Sequence, residues 1–421
     1  MSEINLEQIR KEVNPVYGTA QSCLQILSAV GDEDSDEMRR ALGLPKFADD
    51  TKERAARIPP EVVQIFLKFS PAFTSTVEAR FFSTNNFIQE TGAGLVLDLP
   101  CGYTSRGIKL AGSGVRYIGA DLPAVTEAVE PAVRKIIGEN GNMTYTAVDA
   151  TNYATLRKAV EGGEGELFIT TEGLLMYFNQ SELETVFANI RKLLLEFGGK
   201  WVTLDNELGG VTEKVIGALA DGMSAGVASM AARIAAGAVS ESAVTDNEFF
   251  YRNKERVRQF VSNMGFDLEL VPISRYLPSE MGSFRELPED KRAKAAAAFD
   301  SVNFWVMTAR PDTAEALSCG GEDFKADVKL SDDVLNVTLA GRLDTITAPQ
   351  LLSLYRQAEE GHIIKSLCID MKELEYVSSA GLRALLMMKK ALQSEKSFRV
   401  LNMSESVKEI FETTGFDAIL I

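Results

Sequence analysis

The stretch GLVLDLPCGYTSRG (94–107) decides how this chain reads. Leu95, Val96 and Leu97 form an unbroken apolar run, Asp98 closes it, and Pro100-Cys101-Gly102 turns the chain. A short run without alternation suits a parallel strand buried on both faces. Runs of the same style follow at VRYIGADLP (115–123), MTYTAVDA (143–150), GELFITTEG (165–173) and KWVTLDNE (200–207). Helical segments separate them. The best marked is SELETVFANIRKLLLEF (181–197), with Leu183, Val186, Phe187, Ile190, Leu193, Leu194 and Phe197 on one face. Ser181 with Glu184 reads as its capping box, and Gly198-Gly199 as its stop. Strands alternating with helices predict an α/β protein with a doubly wound, Rossmann-like parallel sheet.

Residues 1–90 read as mostly helical, with a new helix starting at IPPEVVQIFLKF (58–69). Residues 208–246, rich in Ala, Gly and Met, read as helices inserted after the fifth strand, over a ligand pocket. Packing against a second subunit, as in a homodimer, is the alternative for that segment. RVRQFVSNMGFDLELVPI (256–273) reads as helix then strand, and SVNFWVMTARP (301–311) as a further strand. Residues 1–310 then form one domain, and PDTAEALSCGGED (311–323) a linker. Residues 324–421 form a small α/β domain of strands at 334–344, 365–371 and 397–402 and helices at 348–360, 379–392 and 404–415.

Charge and rare residues narrow the chemistry. The 421 residues carry 44 Lys+Arg and 60 Asp+Glu, a net charge of −16, which argues against a nucleic-acid binder acting through phosphate contacts. Residues 324–421 hold 12 Lys+Arg and 14 Asp+Glu, so nearly all the excess lies in the larger part. No apolar stretch reaches the roughly 18–20 residues of a membrane span, and the charged N-terminus lacks a signal-peptide core. Cys23, Cys101, Cys319 and Cys368 are too scattered for a zinc site or disulfide framework, so no metal and a cytoplasmic location are expected. The single histidine, His362, lies in the C-terminal domain and reads as a solvent-facing loop residue.

Three carboxylates follow successive strands. Asp98 ends the first and Asp121 the second, 23 residues on. That is the interval at which an acidic residue of a doubly wound sheet meets ribose hydroxyls. Asp149 ends the third strand, where it can accept an adenine amino proton. The turn holds one glycine, Gly102, and no phosphate cradle, which favours a cofactor without phosphate such as S-adenosylmethionine over a dinucleotide.

These segments resemble the leucine carboxyl methyltransferase-like, S-adenosylmethionine-dependent family, with the resemblance covering roughly residues 10–310. EARFFSTNNFI (78–88) is similar to the stretch that supplies an arginine to the cofactor carboxylate, which implies Arg80. VLDLPCGYTSRG (96–107) matches the glycine loop, with Gly102 and Arg106 in register. YIGADLPAV (117–125) carries the family's DLP, implying Asp121 as ribose ligand. TAVDAT (146–151) places Asp149 and Ala150 at the adenine, and LFITTEGLLMYF (167–178) makes Glu172 the family's cofactor-side glutamate. The loop departs from the usual G-x-G-x-D-T-R, with Pro100 for the first glycine and Thr104 for the aspartate. The resemblance implies an O-methyltransferase. Carboxylate acceptors need no general base and hydroxyls usually do, so the lack of a histidine here favours a carboxylate, or a hydroxyl acidified some other way. Tyr103 and Tyr177 are the weak acceptor-side candidates, and for each the reading as a packing aromatic is preferred.

GRLDTITAPQL (341–351) and YVSSAGLRALL (376–386) resemble the STAS domain of bacterial anti-sigma-factor antagonists. The resemblance implies an anti-sigma factor or serine kinase as partner and Ser379 as the phosphorylated residue, with Ser378 the alternate. The competing reading is that Ser378 or Ser379 is only a helix N-cap, and Asp344 reads as the cap of the helix that follows it. The expected protein is thus a methyltransferase with a STAS switch. A non-catalytic sensor of S-adenosylmethionine or S-adenosylhomocysteine, working through partner switching, is the alternative, and a pure scaffold a third.

Overall fold

The computed structural model describes residues 20–49, 60–219, 254–311, 317–321, 323–331, 334–359, 364, 366–392 and 397–416. His362 and most of the inserted segment expected over 208–246 lie outside the described residues. Cα proximity divides the chain into two compact units, Met1–Arg258 with Leu268–Ala309, and Arg310–Ile421 with Gln259–Asp267.

The first unit opens with helices α1 (residues 20–30), α2 (Glu33–Ala41) and α3 (Pro60–Thr91). Strands and helices then alternate through β1 (Leu95–Asp98), α4 (Arg106–Leu110), β2 (Arg116–Asp121), α5 (Pro123–Ile137), β3 (Met143–Ala147), α6 (Tyr153–Ala159), β4 (Leu167–Thr171), α7 (Gln180–Phe197) and β5 (Gly199–Thr203). α8 (Leu208–Leu219), α9 (Lys254–Asn263), β6 (Phe266–Pro272), α10 (Glu289–Ala297) and β7 (Asn303–Ala309) follow, and of these the stretch Gln259–Asp267 of α9 and β6 groups with the second unit. The sheet order is β3-β2-β1-β4-β5-β7-β6. Strands β1 to β5 are parallel, and β7 runs antiparallel to β5. This is the expected doubly wound, Rossmann-like sheet. Its central strands β1 and β4 are buried at every position, because helices cover both faces. The chain leaves β1 between β2 and β4, so the order reverses there and a crevice opens at the carboxyl ends of the strands.

Two local expectations are corrected. The capping box of α7 is Asn179 with Glu182, not Ser181 with Glu184. Asn179 takes the extended cap conformation, its Oδ1 accepts from Glu182 N (3.0 Å), and Glu182 Oε2 accepts from Asn179 N (2.9 Å). Asp149 does not end a strand. β3 stops at Ala147, and Asp149 opens a turn in which Thr151 N and Oγ1 both donate to its Oδ1.

The second unit holds β8 (Leu317–Gly320), β9 (Phe324–Ser331), β10 (Val334–Leu343), α11 (Ala348–Glu359), β11 (Ser366–Val377), α12 (Ser379–Ala391), β12 (Ser397–Leu401) and α13 (Glu405–Thr414). The sheet order is β12-β11-β10-β9-β8. β10, β11 and β12 are parallel, while β8 and β9 pair antiparallel. Leu335, Val337 and Leu339 alternate onto one face and pack with Leu351, Leu385 and Phe411 of the helices. The stretch 311–323 is therefore not wholly a linker. Leu317 and Cys319 lean on this core and make its last part an edge strand. The alternation spans only four residues, which is why composition alone reads it as a spacer.

Candidate functional site

The crevice between the ends of β1, β2 and β4 contains a cavity of about 350 Å³. That volume lies at the low end of the ~300–1,000 Å³ of small-molecule sites. Four segments wall it. The loop after β1 contributes Gly102 and Tyr103, the end of β2 contributes Asp121, the turn after β3 contributes Asp149 and Ala150, and the loop after β4 contributes Glu172 and Tyr177. Arg80 from α3 and Arg106 from α4 complete the charged lining. Of the residues singled out in sequence as cofactor contacts, Asp98 alone does not reach the cavity.

Asp98 instead lies beneath it, fully buried, because it is the last residue of a strand covered on both faces. Arg106 Nη1 donates to its Oδ1 (2.8 Å) and Tyr117 Oη to its Oδ2 (2.7 Å). Arg106 is itself 1% exposed. Its Nε donates to Asn85 Oδ1 (2.7 Å) and its Nη2 to Glu172 Oε1. Glu172 then faces Arg80, whose Nε lies 3.1 Å from Oε2 without the alignment of a hydrogen bond. Arg80 Nη2 also donates to Cys23 Sγ on α1, 3.6 Å away. The chain Asp98–Arg106–Glu172–Arg80 thus alternates in sign from the sheet interior to the cavity wall. Burial pushes the Asp98 carboxyl up to about 6 against the pull of Arg106. Burial also opposes the Arg106 charge, but Asp98 and Glu172 more than offset it and hold the guanidinium protonated.

Asp121 is fixed differently. Its Oδ2 accepts from Gly102 N (2.8 Å) and its Oδ1 from Leu122 N (2.7 Å). Gly102 has φ +52°, the left-handed region that a side chain disfavours, and this turn brings its N–H onto the carboxylate. Burial pushes the Asp121 carboxyl up to about 6, against those two donors. One lone pair on each oxygen remains for a ligand.

Asp205 and Asn85 are supports that sequence reading missed. The buried Asp205 accepts from Gly173 N (2.6 Å), Leu174 N (2.9 Å) and Leu175 N (2.9 Å), and so shapes the loop that presents Glu172. Its signal was available, since it follows β5 as Asp98 and Asp121 end their strands. Asn85 sits in EARFFSTNNFI, five residues past Arg80, and nothing in its pattern marks it as an arginine partner. The tyrosines are packed. Tyr103 is 6% exposed and burial raises its hydroxyl, while Tyr177 is half-buried in the cavity wall.

In the second unit, parallel pairing of Leu343 with Val377 puts the turns after β10 and β11 at one edge. Ser378 is the N-cap of α12, its Oγ accepting from Gly381 N (3.3 Å). Ser379 is the first helical residue and is exposed. Asp344 does not cap α11, which begins four residues later. Its Oδ1 accepts from Ile346 N (2.9 Å) and Thr347 N (3.2 Å), and those donors hold its carboxyl below the usual range.

Among the described residues, no cluster of three metal-ligating side chains occurs, and no helix is long and apolar enough to cross a membrane. The four cysteines are free thiols.

Comparison with known proteins assigns the second unit. Residues 326–421 match the family model described as "Mlab, STAS domain". A Bordetella bronchiseptica protein described as an anti-sigma factor antagonist, BtrV, is 34% identical over 90 residues, spanning 21% of this chain and 76% of the relative. The anti-sigma-B factor antagonist of Bacillus subtilis is 30% identical over 100 residues, 23% of this chain and 89% of that one. Among solved structures, a duf574 family protein from Streptomyces avermitilis covers 69% of this chain and 97% of its own, at 12% identity and a TM-score of 0.39.

Proposed function

Because the chain belongs, through residues 326–421, to the STAS family of anti-sigma-factor antagonists, we propose that it joins an S-adenosylmethionine-dependent O-methyltransferase unit to a docking module. In this reading the module engages an anti-sigma factor or serine kinase and is switched by phosphorylation of Ser379. The observation that carries the first half is Asp121, fixed by two backbone N–H groups at the switch point with a lone pair on each oxygen turned to a ligand-sized cavity.

The lining fits the cofactor. Arg80 Nε is buried without an aligned acceptor, as suits a wall that receives a carboxylate. Asp121, Asp149 and Glu172 outnumber Arg80 and Arg106, which suits a cation. Bound there, S-adenosylmethionine supplies an electrophilic methyl group on a sulfonium. The protein binds and orients: Asp121 holds the ribose hydroxyls, Asp149 and Ala150 the adenine edge, and Arg80 the amino-acid carboxylate. Arg106 stays below, locking Glu172. Positioning of this kind can supply most of the rate of a displacement.

Arg106 is saturated and Arg80 would hold the cofactor carboxylate, so the described lining offers no further cation for an acceptor carboxylate and no ready base for a hydroxyl, and the acceptor stays open between the two classes. The same geometry supports the sensor as second reading, since each lining carboxylate is already held by backbone, threonine or arginine groups and none stands ready as a base. Release of S-adenosylhomocysteine on incubation with a library of carboxylate and hydroxyl compounds separates the two. Binding without release selects the sensor.

Cofactor affinity should depend on pH. A carboxylate accepting two hydroxyl protons binds in its ionised form, so affinity rises as pH passes upward through the Asp121 value of about 6. Between pH 7 and pH 5 the ionised fraction falls about tenfold, and the dissociation constant should rise by a similar factor. Calorimetry across that range checks this, and a flat profile contradicts it.

The STAS half rests on the contrast between the two serines. Ser379→Ala should abolish phosphate incorporation by a cognate kinase. Ser378→Ala should keep the label and cost about 1 kcal/mol of stability through the lost cap. Mass spectrometry and denaturant unfolding read the two effects, and label retained in Ser379→Ala contradicts the assignment.

A further inference from the structure

Helix α12 shows solvent a stripe set by its own period. Ser379, Arg383 and Met387 are exposed at four-residue intervals, and Lys390 is exposed one turn further on. Side chains four apart lie on one face, with Cβ atoms about 5–6 Å apart. Cα–Cβ bonds in a helix tilt toward its N-terminus, so the long side chain of Arg383 leans back over the turn that carries Ser379. Neither the Arg383 nor the Ser379 side chain has a hydrogen-bond or ion-pair partner among the described residues.

Other charges near this helix end are committed. Asp344, on the turn after β10, is tied to Ile346 N and Thr347 N. Arg342 lies over the Tyr376 ring at 4.3 Å. Arg383 is the exposed cation one turn from Ser379 that carries no such engagement.

Resting on the reading that Ser379 is the modified residue, we propose that its phosphate is held by Arg383 across one turn of α12. Modification then withdraws the Arg383 charge from the exposed helix face. In the kinase step, Ser379 Oγ forms a bond to the γ-phosphorus of a nucleoside triphosphate. The phosphoanhydride bond breaks, the nucleoside diphosphate leaves, and the hydroxyl proton is released. The product carries about −1.5 to −2 charges at pH 7 and three acceptor oxygens, which the planar guanidinium fork matches in geometry. Before modification, Arg383 offers a basic group beside Ser379 and Met387. After it, that group is neutralised within the chain.

The test places phosphoserine at position 379 of the full chain by genetic encoding, without a kinase, and follows its ³¹P resonance against pH. Arg383→Gln should raise the second phosphate pKa by about 0.2–0.4 of a unit. Arg383→Lys should recover part of the shift, and Lys390→Gln should leave it unmoved. An Arg383→Gln chain that titrates like the unsubstituted one overturns the proposal, as does an equal shift in Lys390→Gln. Kinase labelling at a residue other than Ser379 defeats the underlying assignment, while the resonance titration still decides whether this arginine holds a phosphate there.

Discussion

Arg106→Ala is expected to lower the unfolding free energy of the first unit by about 3–5 kcal/mol, the usual cost of removing one partner from a buried charge network. Asp98 is 0% exposed and would keep only the Tyr117 hydroxyl, and Asn85 Oδ1 would lose its donor. Glu172 would retain Arg80 alone. The pH dependence carries a sign. Asp98 already has a carboxyl raised by burial to about 6, and losing Arg106 raises it further. A carboxyl whose folded value lies above its unfolded value contributes stability below the unfolded value and loses it as pH rises through the folded one. The deficit of Arg106→Ala should therefore shrink as pH falls from 7 toward 5. Denaturant unfolding at several pH values measures it. A deficit under 1 kcal/mol, or one that grows on acidification, contradicts the network.

Asp121→Ala is expected to weaken S-adenosylmethionine binding by about two to three orders of magnitude, since hydrogen bonds to a charged acceptor are worth ~1.5–3 kcal/mol each. Two such bonds to ribose are lost, and Gly102 N and Leu122 N lose their acceptor as well. Asp121→Asn should lose nearly as much. One oxygen becomes an NH₂ group, which must face either the Gly102 or the Leu122 N–H and sets donor against donor. Calorimetric titration reads both variants. Affinity within threefold of the unsubstituted chain in either would remove Asp121 from the site.

Much of this was legible in the sequence. The apolar runs ending in Asp98 and Asp121 gave the sheet, because a strand buried on both faces has no polar face to hide its pattern. Strand order brought Asp121 and Asp149 to one edge, and the family resemblance added Glu172. What it could not give was depth. Asp98 and Asp121 look alike in sequence, yet one sits beneath the cavity floor and the other in its wall, because Arg106 and Tyr117 close over the first. Partners distant in sequence, such as Asn85 for Arg106 and Asp205 for the loop after β4, leave no local signature. β9 was readable, since Phe324, Ala326 and Val328 alternate inward, but its charged outward positions hid it beside a glycine-rich stretch. Ser378 and Ser379 are adjacent and identical, and only helix geometry makes one the cap and the other an exposed hydroxyl.

The most direct test of the central claim is calorimetric titration of the full chain with S-adenosylmethionine and with S-adenosylhomocysteine at pH 7. One site of micromolar or tighter affinity for S-adenosylmethionine, lost in Asp121→Ala, is the predicted result. No heat of binding with either compound, from a chain shown to be folded by its unfolding transition, would contradict the account.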